Sequence, residues 1–269
     1  MSFLKLGRRR VTGPIFIVGS GRSGTSVLLN TLHKTLNLPC HGEGHFYPLA
    51  LPLITATNDF FEKHASKSES SSHMLHDVKV EEVRGKIGDM IAEIYKKQYG
   101  ANVFIDKTPG PTGIEAIPFI QEAFPDIRII YTKRRGIEVV RSAVRKFPHV
   151  AFEGHCEIWR DSMTTWRDAR PKLHVPYLEI DQHDIALNPA LIAEQIGELL
   201  ELNPHQVNTV KSYLLTDRPQ SSGKLNSGTV NIESSGWDEK EIKIFRKICG
   251  PIMTVFGYTE DGNYRIDTE

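Results

Sequence analysis

Short apolar runs alternate along this chain with longer stretches of helical periodicity. Residues 14–19, PIFIVG, are rich in β-branched side chains and end at glycine, which predicts a buried parallel strand. GSGRSGTS follows, then VLLNTLHKTLNL, whose apolar positions recur at helical spacing. The unit is strand, glycine-rich loop, helix. A short apolar stretch, LPC, precedes HGEGHFYPLALPLI, and residues 64–74, rich in serine, read as a polar surface loop. Helical spacing runs from Val80 to Tyr99 and stops at Gly100. ANVFIDKTPG predicts a strand from Val103 to Ile105 and then a loop arrested by Pro109.

Residues 112–124 predict a helix, IRIIYT (127–132) a second buried strand, and RRGIEVVRSAVRKF the start of a basic helix. A further helix over 152–170 carries Trp159 and Trp166 on one stripe. VPYLEI predicts a strand, NPALIAEQIGELLEL a helix with proline in its first turn, and 238–256 a last helix closed by Gly257. Strands alternating with helices predict a three-layer α/β fold of P-loop-like type, with a mainly parallel central sheet of about five strands. No internal repeat interrupts it, and residues 1–269 read as a single domain.

Composition narrows the partners. The chain has 33 basic and 33 acidic residues, so no global field recruits nucleic acid or a membrane surface. Local clustering matters more: Lys133, Arg134, Arg135, Arg141, Arg145 and Lys146 crowd into residues 133–146. Cys40, Cys156 and Cys249 are odd in number and widely spaced, with neither a disulfide framework nor a zinc spacing; Cys40 and Cys249 read as buried thiols. No segment approaches the ~20 apolar residues needed to span a bilayer. The N-terminus lacks the apolar stretch of a secretory signal. The expectation is a soluble cytoplasmic protein, with a lumenal domain trimmed of its anchor as the alternative.

The glycine-rich loop carries the first chemistry. Gly19, Gly21 and Gly24 let backbone approach an anion and adopt positive φ, and amides of the loop and first helical turn converge there with the helix dipole. The loop is nearly a Walker A motif, but Thr25 stands at the lysine position. That lysine serves the β- and γ-phosphates in triphosphate enzymes, so its loss argues against ATP or GTP hydrolysis. Arg22 instead offers a planar fork of donors to a tetrahedral anion.

GSGRSGTS after PIFIV resembles the 5′-phosphosulfate loop of sulfotransferases that use 3′-phosphoadenosine 5′-phosphosulfate (PAPS), especially the tyrosylprotein type and its bacterial relatives. The resemblance implies that Gly21, Arg22, Ser23, Gly24, Thr25 and Ser26 grip the 5′-phosphosulfate. It also implies a 3′-phosphate site made by an arginine at a strand end and a serine eight residues on. Here these are Arg134, after IRIIYTK, and Ser142, with Gly136 where the family has proline. VPYLEIDQHDIALNP and the closing GWDEKEIKIFRKICGPIMTVFGY are similar to later family segments, so the likeness spans most of the chain.

Sulfuryl transfer needs a base for the acceptor hydroxyl or amine and cations where charge develops. The family's base is a glutamate in a Gly-Glu-Glu context; Gly42-Glu43-Gly44 matches it, with His45 as the second candidate. Lys107 in DKTP resembles the lysine set against the sulfonate, and Asp106 reads as its structural partner. A C-terminal serine is implied too, and Ser222 and Ser227 lie in the stretch 219–236, which reads as a cofactor-covering loop. The resemblance implies PAPS as co-substrate, 3′,5′-ADP (PAP) as product and no metal. The acceptor class stays open among small molecules, carbohydrate, lipid and peptide. So do two rivals, a P-loop kinase and a catalytically silent nucleotide-binding module.

Overall fold

A computed structural model describes residues 11–216 and 229–266. The first apolar run forms β1 (Ile15–Gly19), in which Ile15, Phe16, Ile17 and Val18 are fully buried. Successive side chains point to opposite faces of a strand, so a run without polar gaps must be covered on both sides. Thr25–Leu36 forms α1, followed by α2 (Ala50–Lys63), α3 (Ala65–Ser68) and α4 (Val80–Tyr99). Then come β2 (Ile105–Lys107), α5 (Pro111–Ala123), β3 (Arg128–Lys133), α6 (Gly136–Lys146) and α7 (Phe152–Ala169). The chain continues with β4 (Tyr177–Asp181), α8 (Gln182–Leu187), α9 (Pro189–Leu199), α10 (Pro204–Thr216) and α11 (Glu239–Val255).

The four strands lie in the order β2-β1-β3-β4, all parallel. Phe16, Val18, Ile129 and Tyr131 face a core completed by α4, α5, α6, α7 and α11. Ile15, Ile17, Ile105, Ile130 and Ile180 face the opposite core, built from α1, α8, α9 and α10. The three-layer α/β expectation therefore holds, with four strands among the described residues where about five were expected. The stretch around Cys40 supplies only a single parallel bridge to Ile105, beyond β2. The Pro39 carbonyl accepts from the Ile105 amide at 3.0 Å, but proline has no N–H to extend the ladder.

Other boundaries shift for local reasons. β2 begins at Ile105, where the pattern placed its end, because pairing continues through Asp106 and Lys107. Charged residues conceal that strand. The serine-rich stretch holds the short exposed helix α3 and a 3₁₀ turn at Met74–His76. Among the described residues no helix is long and apolar enough to cross a membrane. Cys156 and Cys249 are buried, whereas Cys40 is only half-buried. Trp159, Trp166 and Tyr47 are core residues.

Sheet order reverses direction across β1: the chain steps from β1 to β2 on one side, then crosses to β3 on the other. In open parallel sheets the carboxyl ends flanking such a reversal form the crevice where ligands bind. The loop after β1 and the arginines after β3 meet there.

Candidate active site

The loop leaving β1 is shaped by close packing against β3. Gly19 has φ 145°, and a Cβ there would lie 2.1 Å from the Thr132 carbonyl oxygen, so no side chain fits. Gly24 has φ 96° and caps α1. Gly21 does not take a positive φ; the left-handed position falls instead on Arg22, at φ 67°. Ser23 turns inward, donating to the Ser20 carbonyl at 2.5 Å and lying 2.8 Å from Thr132 Oγ1. Its hydroxyl pins the loop to β3, leaving only its amide for a ligand. Backbone amides of residues 21–26 find no acceptor among the described residues, which is the condition of an anion site at a helix N-terminus.

Both cationic elements expected from the sequence come together here. Arg22 Nε donates to Ser142 Oγ at 2.9 Å, and Arg134 Nη1 donates to the Arg22 carbonyl at 3.3 Å. These contacts join the loop after β1 to the start and middle of α6. Arg134 is further held by its own carbonyl, which accepts from Trp159 Nε1 at 3.0 Å. Burial, and then the charges of Arg134 and Arg145, push the Arg22 guanidinium below its ordinary pKa. Arg22, Arg134, Arg141 and Arg145 have no carboxylate partner among the described residues. Arg145, one helical turn beyond Arg141 and Ser142, is near enough for its charge to act on Arg22.

Arg135, counted in the same basic cluster, does something else. It is fully buried, pairs with Glu138 at 3.0 and 2.5 Å, and donates to the carbonyls of Val230, Thr259 and Asp261. This guanidinium ties the C-terminal segment to the start of α6 and is spent on structure.

One strand away, β2 ends at Lys107, which is 4% exposed. Its Nζ donates to Ser26 Oγ at 3.1 Å and to Glu43 Oε1 at 3.0 Å. Glu43 Oε2 lies 2.7 Å from His45 Nε2. Burial works to raise the Glu43 carboxyl, but the hydrogen bonds from Lys107 and His45 outweigh it and leave it below the usual carboxylate range. Glu43 and His45 are both half-exposed, so an acceptor has access to them. Lys107 thus links the phosphate loop to the carboxylate.

Asp106 is not the partner of Lys107. Adjacent strand residues point to opposite faces, and Asp106 points into the core behind the site. There it accepts from Thr108 Oγ1 at 2.8 Å, Tyr95 OH at 3.1 Å and Tyr99 OH at 3.4 Å. Thr25 is buried beside the loop and Ser26 half-buried. Ser222 and Ser227 lie outside the described residues, as does most of the expected covering loop; residues 229–236 include a 3₁₀ turn at Ile232–Ser234. No group of three or more His, Cys, Asp or Glu among the described residues is placed to hold a metal ion.

The chain matches the model of the Sulfotransferase family over residues 14–206. No curated protein matches it in sequence. Among solved structures, it is similar to a sulfotransferase from Mycobacterium avium at 12% identity and TM-score 0.52, over 94% of this chain and 79% of that one. It is likewise similar to a mouse sulfotransferase complexed with PAP, at 12% identity and TM-score 0.51, over 91% and 86% of the two chains. These likenesses speak for the fold alone. The family match runs from β1 through the phosphate loop, Glu43, Lys107, Arg134 and Ser142, and this chain belongs to the sulfotransferase family.

Proposed function

We propose that this protein transfers a sulfuryl group from PAPS to an acceptor hydroxyl or amine. The observation that carries the reading is the grouping of Arg22, Arg134 and Arg145, without a carboxylate partner among the described residues, beside the amides of residues 21–26, which find no acceptor there. In a chain of zero formal charge, like charges this close await an anion. The contact of Arg22 with Ser142 brings the loop and α6 together, as a nucleotide phosphorylated at both the 5′ and 3′ positions would need. The mouse neighbour, solved with PAP, supports that choice.

PAPS supplies the activated sulfuryl group; the residues of this chain hold it and receive the proton. Arg22, the amides of residues 21–26, and the hydroxyls of Thr25 and Ser26 would hold the 5′-phosphosulfate. Arg134 and Ser142 would hold the 3′-phosphate. Lys107, bonded to Ser26, would face the bridging oxygen as charge develops there, and its ammonium would stabilise the transition state. Glu43 takes the acceptor proton: its lowered pKa keeps it ionised at neutral pH, and transfer of Lys107 to the sulfonate would restore its basicity. His45, bonded to the other carboxylate oxygen, orients Glu43 and passes the proton to solvent. Thr25 at the Walker lysine position weighs against the kinase reading, and the Ser26–Lys107–Glu43 contact against a silent module.

The test is incubation with radiolabelled PAPS across phenols, alcohols, amines, carbohydrates and tyrosine peptides. Label should pass to at least one class, and Arg22→Ala should abolish the transfer. Transfer of the γ-phosphate from Mg-ATP, with none from PAPS, would contradict the reading.

A further inference from the structure

Behind the site lies a carboxylate that the proposed chemistry does not use. Asp106 is 1% exposed and, among the described residues, bonds no cation; its partners there are three hydroxyls. Burial pushes its carboxyl above the usual range, so the group is kept at a cost that packing alone would not require.

The hydroxyls show what the carboxylate does. A hydroxyl carries one proton and two lone pairs, and an ionised carboxylate only accepts. Thr108 Oγ1 gives its proton to Asp106 Oδ1 at 2.8 Å and accepts the His45 amide at 3.0 Å. Tyr95 OH gives its proton to Asp106 Oδ2 at 3.1 Å and accepts the Tyr47 amide at 3.3 Å. Both hydroxyls could rotate to donate elsewhere, and the carboxylate removes that freedom. Just before the two amides, Gly44 packs on the same group, and a Cβ there would clash with Asp106 Oδ2. The Gly44 amide donates to the Lys107 carbonyl at 3.0 Å, and His45 sits at φ 49°, a strained conformation that persists only where neighbours over-determine it.

We infer that Asp106 is a positioning residue: through Thr108 and Tyr95 it fixes the loop of residues 43–47, and so holds Glu43 and His45 in register with Lys107 and the phosphate loop. The inference rests on the reading that this loop carries the base. Asp106 touches neither substrate; it acts through two oriented hydroxyls on a backbone.

The test compares Asp106→Asn, Thr108→Val and Thr108→Ser in the full chain. Three quantities are read: amide exchange at His45 and Tyr47, the Kd for PAP, and the rate of PAP release from PAPS with water as the acceptor. An asparagine side chain brings its own donors and reverses one hydroxyl. Amide exchange at His45 should therefore rise about tenfold in Asp106→Asn and Thr108→Val. PAP release should slow by about ten- to a hundredfold, as for a misplaced catalytic group, while the Kd for PAP stays within about twofold. Thr108→Ser keeps the hydroxyl and should restore both exchange and rate. Unchanged exchange at His45 and Tyr47 in both Asp106→Asn and Thr108→Val would overturn the inference. So would a Kd for PAP that weakens in step with the rate, which would mark a general loss of structure. If the wild-type protein neither hydrolyses PAPS nor passes label from it to any acceptor class, the sulfuryl-transfer reading fails, and the exchange measurement still decides what Asp106 holds.

Discussion

At the carboxyl ends of β1 and β3, Arg22, Arg134 and Arg145 stand together without a carboxylate among the described residues. One strand away, at the end of β2, Lys107 is bonded to Glu43 and Glu43 to His45. Under the proposed function an anion would relieve the repulsion in the first region. The second compensates its own charge, so its groups would act after exchanging partners. Ser26 joins the two, because it stands in the first turn of α1 beside the loop and accepts from Lys107. Binding and chemistry are therefore separable by mutation, with Lys107 at the hinge.

Four substitutions would break or sharpen that contrast. Glu43→Gln should have the largest effect, cutting turnover by roughly 10²–10⁴-fold, as for loss of a general base, with PAP binding retained. A mild loss there beside a severe one in His45→Ala would move the base to the imidazole. Lys107→Ala should lower kcat by about 10²–10³-fold, as for loss of a group facing developing charge; wild-type turnover would remove Lys107 from the mechanism. Arg134→Ala should act on the other side of the contrast. Losing charge-assisted bonds worth roughly 1.5–3 kcal/mol should raise the KM for PAPS about ten- to a hundredfold, with kcat little changed. Arg145→Ala, at an exposed position, should weaken PAP binding only a few-fold, an effect of about 1 kcal/mol or less that vanishes near 1 M salt.

Much of this was legible in the chain. β1, β3 and helices α5 to α7 follow apolar periodicity closely, since their burial is strong and regular. The phosphate loop and the Arg134–Ser142 spacing stood out because an anion site needs free amides and forked donors at fixed separations. Helix α2 was unassigned, because Pro52 and a polar end mask its pattern, and so was α10. The roles of neighbours in β2 were harder still. Lys107 and Asp106 are adjacent and opposite in charge, which suggested a pair, yet strand alternation sends one to the site and one to the core. Glu43 comes from a distant part of the chain, and only tertiary packing brings it to Lys107. Arg135 carried no sign in the sequence of its structural role, although it is buried against Glu138 while its neighbour Arg134 reaches the Arg22 carbonyl.

The most direct measurement is a calorimetric titration of wild-type protein and Arg134→Ala with 3′,5′-ADP and with 5′-AMP. If one nucleotide spans the loop and the Arg134–Ser142 pair, wild type should bind 3′,5′-ADP about ten- to a hundredfold more tightly than 5′-AMP, and Arg134→Ala should erase that difference. Equal affinity of the wild-type protein for the two nucleotides would contradict the account.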